Sequence, residues 1–213
     1  MVAPRFITFE GLDGSGKSTQ IERLGAALRA SGEAVVATRQ PGGTELGERI
    51  RGLVLGAAAA PPAELALMLA ARAQAVRERI RPALDQGQWV LCDRFHDATE
   101  AYQGGGRGLD RGAIRELHRL LCDDLQPRLT LLLDLDPAAS LARARNLPGA
   151  SHFEREELAF FDRVAAAYRE IAAREPARCA VIPAQGPPDA VAGRILGTVQ
   201  ARCGWRPASR HVG

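Results

Sequence analysis

GLDGSGKST, Gly11–Thr19, is the stretch on which the fold turns. It follows a short β-branched and aromatic run, RFITFE (Arg5–Glu10). It opens a segment, Lys17–Ala30, in which Ile21, Leu24, Ala27 and Leu28 recur at helical spacing. Strand, glycine-rich turn and helix in that order match G-x-x-x-x-G-K-[ST], a loop whose backbone N–H groups surround phosphate oxygens. Gly11, Gly14 and Gly16 let the chain turn inward where side chains would obstruct it. The helix start adds its positive end. Of the 28 lysines and arginines in the chain, Lys17 is the sole lysine. A slim ammonium fits inside a closed loop where a planar, forked guanidinium does not, so Lys17 is expected at the β and γ phosphates of a nucleotide. The nucleotide-binding set is then Gly11, Leu12, Asp13, Gly14, Ser15, Gly16, Lys17, Ser18 and Thr19, with the Ser18 hydroxyl available to Mg²⁺.

Working outward, EAVVATR (Glu33–Arg39), QWVLCD (Gln88–Asp93) and LTLLLDL (Leu129–Leu135) read as further strands, and CAVIP at 179–183 as a short one. Helical patterning covers Thr44–Leu55, Pro62–Leu84 and roughly 110–123, 137–146, 154–174 and 188–202. Strands that are apolar throughout, alternating with helices, predict an α/β fold with a parallel five-stranded sheet covered by helices on both faces. One domain over residues 1–213 is expected, and GWRPASRHVG, from Gly204 onward, reads as a frayed tail.

Composition removes other classes. The chain has 213 residues, 46% hydrophobic and 25% charged, with a formal net charge of +3 spread along its length. Neither that charge nor the few aromatics suggests a nucleic-acid partner. Cys92, Cys122, Cys179 and Cys203 lack metal-ligand spacing and read as reduced thiols. Neither a signal-peptide pattern nor a membrane-spanning apolar run appears, so a cytoplasmic protein is expected. His96, His118, His152 and His211 show no partner spacing. Read alone, Arg51 and Arg72 belong on solvated helix faces of an arginine-rich chain, and Tyr102 is a core ring. Asp93-Arg94 stands apart, because strand ends line ligand crevices in open α/β sheets.

FEGLDGSGKST, RQPGGT (Arg39–Thr44), DRF (Asp93–Phe95), AYQGGGRGLD (Ala101–Asp110) and FEREELAFFDRV (Phe153–Val164) occur in an order that resembles thymidylate kinase, from Arg5 to about Arg174. The resemblance implies a P-loop NTPase fold with a short lid, here about 143–153. It also implies a dimer, and transfer of the γ-phosphoryl of ATP to dTMP with Mg²⁺. Carried over position by position, Asp13 meets the deoxyribose 3′-hydroxyl and organises the phosphates. Arg39 and Arg51 lie near the acceptor phosphate, Arg94 clamps it, and Asp93 sits near the metal. Arg72 reaches the base and Thr99 faces its Watson–Crick edge. Tyr102 lies under the sugar, while Pro41, Gln103 and Gly104–Gly106 complete the pocket.

Several positions depart from the family pattern. Gln40 replaces a glutamate, Met68 replaces a phenylalanine that stacks on thymine, and Ala98 replaces a serine. The lid, RARNLPGASH (Arg143–His152), has Leu147 where a third arginine is normal and Ser151-His152 in place of Asp-Arg. The resemblance implies that, with glycine at position 14, the arginine that stabilises the transferring phosphoryl comes from this lid, with Arg143 and Arg145 as candidates. Two readings follow. One is an active dTMP kinase. The other is a divergent protein, either a kinase for a different or modified pyrimidine monophosphate or a nucleotide binder with impaired transfer.

Overall fold

A computed structural model describes residues 2–56, 59–145, 153 and 156–206. Five strands, β1 (Val2–Glu10), β2 (Val35–Arg39), β3 (Trp89–Asp93), β4 (Gln126–Asp134) and β5 (Cys179–Pro183), form one parallel sheet in the order β2-β3-β1-β4-β5. The helices are α1 (Lys17–Ala30), α2 (Glu45–Gly56), α3 (Pro61–Ala75), α4 (Arg81–Asp85), α5 (His96–Thr99), α6 (Arg111–Leu121), α7 (Pro137–Arg145), α8 (Leu158–Arg174) and α9 (Pro188–Cys203). The expected Pro62–Leu84 helix is a continuous helical run, α3 to α4, with a π-helical stretch at Val76–Ile80 in between. One helical segment was not expected. After β3 the chain coils through α5 into a π-helical stretch, Glu100–Gly106.

The alternation of β1 explains the layers. Ile7 and Phe9 point to a core shared with Leu24 and Leu28 of α1 and Ile195 and Val199 of α9. Phe6 and Glu10 point to the opposite face, where Phe6 packs on Phe95 and Glu10 meets Tyr168 of α8. On that face Phe160, Phe161, Val164 and Tyr168 of α8 share a core with Leu132, Ile50 and Tyr102. Gly105 permits the approach of the Glu100–Gly106 segment to α8: a Cβ there would lie 2.5 Å from Cβ of Ala167.

Trp205 corrects the expectation of a frayed tail beginning at Gly204. Its ring is buried in the α1/α9 core. His96 and His118 do find each other: their rings stack at 4.6 Å, buried beneath α6. Leu147, Ser151 and His152 lie outside the described residues. No helix among the described residues is long and apolar enough to cross a membrane.

Candidate active site

The phosphate loop connects β1 to α1, and its glycines are fixed by their neighbours. Gly14 has φ +80°, and a Cβ on it would fall 2.4 Å from the Ser140 carbonyl oxygen of α7. The Ser140 hydroxyl donates to the Asp13 carbonyl oxygen at 2.8 Å. The loop therefore leans on α7, and a side chain at position 14 would displace it. Lys17 is buried and folds back over the loop, donating from Nζ to the carbonyl oxygens of Gly11 (3.1 Å) and Leu12 (2.9 Å). Burial, then the nearby Arg94 guanidinium, lower its pKa. A cleft of about 990 Å³ opens over this loop, lined by Gly14, Gly16, Lys17, Ser18, Thr19, Asp93 and Arg143.

Asp13 and Arg94 form the hinge between this cleft and a second one. Arg94 follows β3 with φ +66°, a left-handed conformation that costs energy for a residue with a side chain. Its Nη2 donates to Asp13 Oδ1 at 2.8 Å and to the Tyr102 hydroxyl at 3.1 Å, and its guanidinium lies 4.8 Å from the Tyr102 ring centre. Burial raises the Asp13 pKa, but the charges of Arg94 and Lys17 outweigh it and hold the carboxyl at about 2. Behind Arg94, Glu10 is fully buried. Burial and the Asp97 carboxylate push it up to about 7.

The second cleft, about 730 Å³, is lined by Asp13, Gln40, Pro41, Arg51, Met68, Arg72, Arg94, Thr99, Tyr102 and Gln103, together with Leu55, Phe95, Ala98 and Phe153. Arg72 does not occupy the solvated face that its helix context suggests. It is 2% exposed, and donates to Gln40 Oε1 (2.9 Å), to the Phe95 carbonyl oxygen (3.0 Å) and to the Thr99 hydroxyl (2.5 Å). Its Nη1 has no hydrogen-bond partner among the described residues, and neither has Gln103 Oε1, whose amide nitrogen donates to Glu64 at 2.7 Å. The cleft thus holds buried polar atoms, the Arg72 donor and the Gln103 acceptor, that a ligand could satisfy. Because arginine only donates, Gln40 must present its oxygen to Arg72, which leaves the Gln40 amide nitrogen unpartnered and buried.

Of the residues expected at the acceptor, Asp13, Pro41, Arg51, Met68, Arg72, Arg94, Thr99, Tyr102 and Gln103 line this second cleft, whereas Arg39 and Gly104–Gly106 do not. Arg39 lines the loop cleft instead and pairs with Glu48 at 2.8 Å. Arg51 lines both clefts and donates to the Pro41 carbonyl oxygen at 3.0 Å. Of the two candidate lid arginines, Arg143 lines the loop cleft, whereas Arg145 lines neither. Leu55, Phe95 and Phe153 were missed as cleft residues. Phe153 heads a recognisable motif, and in the structure it lines the cleft with its ring in T-shaped contact with Tyr102 at 5.7 Å.

A family model for thymidylate kinase matches residues 9–195. The chain is 52% identical over 204 residues to a thymidylate kinase of Solidesulfovibrio magneticus, covering 91% of this chain and 98% of the relative. It is 51% identical over 196 residues to one from Thermomicrobium roseum, covering 91% and 93%. The crystal structure of thymidylate kinase from Ehrlichia chaffeensis superposes with a TM-score of 0.77 at 34% identity, over 92% of this chain and 98% of that one. The family match runs from the end of β1 into α9 and so encloses both clefts: the chain belongs to the thymidylate kinase family.

Proposed function

We propose that the chain transfers the γ-phosphoryl group of ATP to dTMP, giving ADP and dTDP, in pyrimidine deoxynucleotide synthesis. One observation carries this reading. The loop cleft and the second cleft share Asp13, Gln40, Arg51 and Arg94, so two anionic ligands would meet at one junction of fixed charges. Phosphoryl transfer needs that juxtaposition more than it needs covalent chemistry.

ATP lies over the loop, its phosphates against the backbone N–H groups of residues 11–19 and the Lys17 ammonium. Entering phosphate offers Lys17 stronger acceptors than the Gly11 and Leu12 carbonyls. The dTMP base enters the second cleft, where Arg72 Nη1 suits a carbonyl oxygen and Gln103 Oε1 suits the ring N–H of thymine. Thr99 fixes Arg72, Met68 and Pro41 contribute to the cleft wall, and Tyr102 closes the sugar side beside Asp13. Arg94 and Arg51 hold the acceptor phosphate, with Arg39 at the edge of the loop cleft. An oxygen of that phosphate attacks the γ-phosphorus in line, and the bond to the β-phosphate oxygen breaks with its electron pair leaving on ADP. Arg143, beside Gly14, stabilises the charge on the transferring group. Arg145, two positions on and outside the cleft lining, takes a lesser part.

The donors fit a hard divalent cation. Asp93 Oδ1 is buried and has no hydrogen-bond partner among the described residues, and Ser18 lines the same cleft. Mg²⁺ carried with ATP and held by Ser18 and Asp93 would neutralise phosphate charge. We read the protein as a cytoplasmic homodimer that binds small nucleotides, with neither nucleic acid nor membrane as partner. Leu120 and Leu121, 65% and 44% exposed at the end of α6, support an apolar contact between copies.

The test is ADP release measured with dTMP, dUMP, dCMP and purine monophosphates as acceptors. dTMP is expected to give the highest kcat/KM. ATP binding without turnover on dTMP would overturn the reading. Light scattering at micromolar concentration checks the dimer.

A further inference from the structure

Glu10 and Tyr168 have no part in the transfer described above, yet both are buried against its central arginine. Glu10 ends β1 and is 0% exposed, and Tyr168, in the middle of α8, is 3% exposed. Glu10 uses both oxygens. Oε1 accepts the backbone N–H of Phe95 at 2.6 Å, and Oε2 accepts the Tyr168 hydroxyl proton at 2.8 Å. The Tyr168 oxygen in turn accepts from Arg94 Nη1 at 3.1 Å. One carboxylate therefore grips Arg94 from two sides, through the next backbone N–H and through its side chain.

The direction of these bonds is dictated by chemistry. A guanidinium only donates, so Tyr168 must turn lone pairs towards it, which requires an acceptor for the hydroxyl proton. Glu10 is that acceptor. The Arg94 backbone, at φ +66°, would relax without restraint, and the Arg94 N–H to Phe9 carbonyl bond of 2.9 Å together with the Phe95 N–H to Glu10 bond supplies it. On its other side Arg94 is tied to Asp13 and Tyr102. The fork is thus fixed in orientation while N–H groups remain for a phosphate.

We propose that Tyr168 and Glu10 are positioning residues for the acceptor phosphate, with the Tyr168 hydroxyl, oriented by Glu10, aiming the Arg94 guanidinium at the junction of the two clefts. The inference rests on the reading of Arg94 as the acceptor-phosphate clamp. Tyr168→Phe removes one oxygen and keeps the ring in its core. It releases Arg94 Nη1 without removing any residue that lines either cleft, and leaves the Lys17 contacts of the phosphate loop in place.

Steady-state kinetics with each substrate varied in turn, alongside thermal melts, test the proposal. Tyr168→Phe is expected to raise KM for dTMP about tenfold, the loss of one charge-assisted hydrogen bond, with KM for ATP changed less than about twofold. Glu10→Gln keeps an oxygen for Phe95 but offers Tyr168 a donor, and should give the same split. The double variant should be no worse for dTMP than either single one. Equal rises in both KM values, or additive losses in the double variant, would show a structural role only and overturn the proposal. So would an unchanged KM for dTMP in Tyr168→Phe, a variant that keeps its ring in the core if Glu10→Gln fails to fold. Arg94→Ala measured in parallel separates the two claims. If it leaves KM for dTMP intact, the clamp reading itself fails and the positioning proposal goes with it.

Discussion

The two clefts are made of different material. Half of the residues that line the donor cleft, Asp13, Gly14, Gly16, Lys17, Ser18 and Thr19, come from one strand–helix connection, with the lysine folded back onto its carbonyls. The acceptor cleft is mostly side chain, gathered from α2, α3, the end of β3, α5, the π-helical stretch and Phe153. A site floored by one contiguous loop tolerates little change within that loop. A side-chain site can drift one contact at a time. The departures at Gln40, Met68 and Ala98 all line the acceptor cleft, Gln40 at the junction shared with the loop cleft, while the loop motif is intact.

Lys17→Ala attacks the donor half and should have the largest effect. kcat should fall by ~10³-fold, the scale of removing a preorganised charge from a transferring phosphoryl, with the melting temperature little changed. Arg143→Ala comes next. A fall in kcat of about 10²-fold is expected with both KM values nearly unchanged, whereas Arg145→Ala should stay within a few fold of the parent. Equal effects of the two would remove the assignment of Arg143. Gln103→Leu tests the acceptor half, where losing a buried acceptor should raise KM for dTMP by about tenfold and leave ATP unaffected.

Acid sharpens the junction. The Asp13 carboxyl is held at about 2 against an ordinary 3.8, because Arg94 and Lys17 more than offset the effect of burial. A lowered folded pKa contributes stability that is present above the ordinary value and is lost as pH falls towards 2. The stability difference between the parent and Asp13→Asn should therefore shrink from pH 4 to pH 2 in denaturant titrations. A difference that is flat across that range would mean the ion pair contributes nothing. Met68→Phe should give the smallest change, a fall in KM for dTMP of about two- to tenfold from restored ring stacking.

The same contrast governs what could be read from the sequence. The loop was legible because its chemistry is contiguous: glycines, lysine and serine at fixed spacing between a strand and a helix. Strands β3 to β5 and helix α1 were legible because their apolar periods are strong. Glu100–Gly106 was not, since Gly104, Gly105 and Gly106 argue against a helix locally and only close packing on α8 makes one. Arg72 looked like a surface residue because its partners, Gln40, Phe95 and Thr99, lie 23 to 32 positions away. Trp205 was misread because polar neighbours hide its burial between distant helices. Contacts made across the fold leave no local period to detect.

Lys17 has a practical consequence. With one ε-amino group in the whole sequence, lysine-selective isotope labelling should yield a single side-chain signal. That nitrogen sits on the Gly11 and Leu12 carbonyls in a buried position, so its chemical shift and exchange rate would report directly on whether the loop holds a phosphate. The chain carries its own one-atom probe inside the phosphate loop.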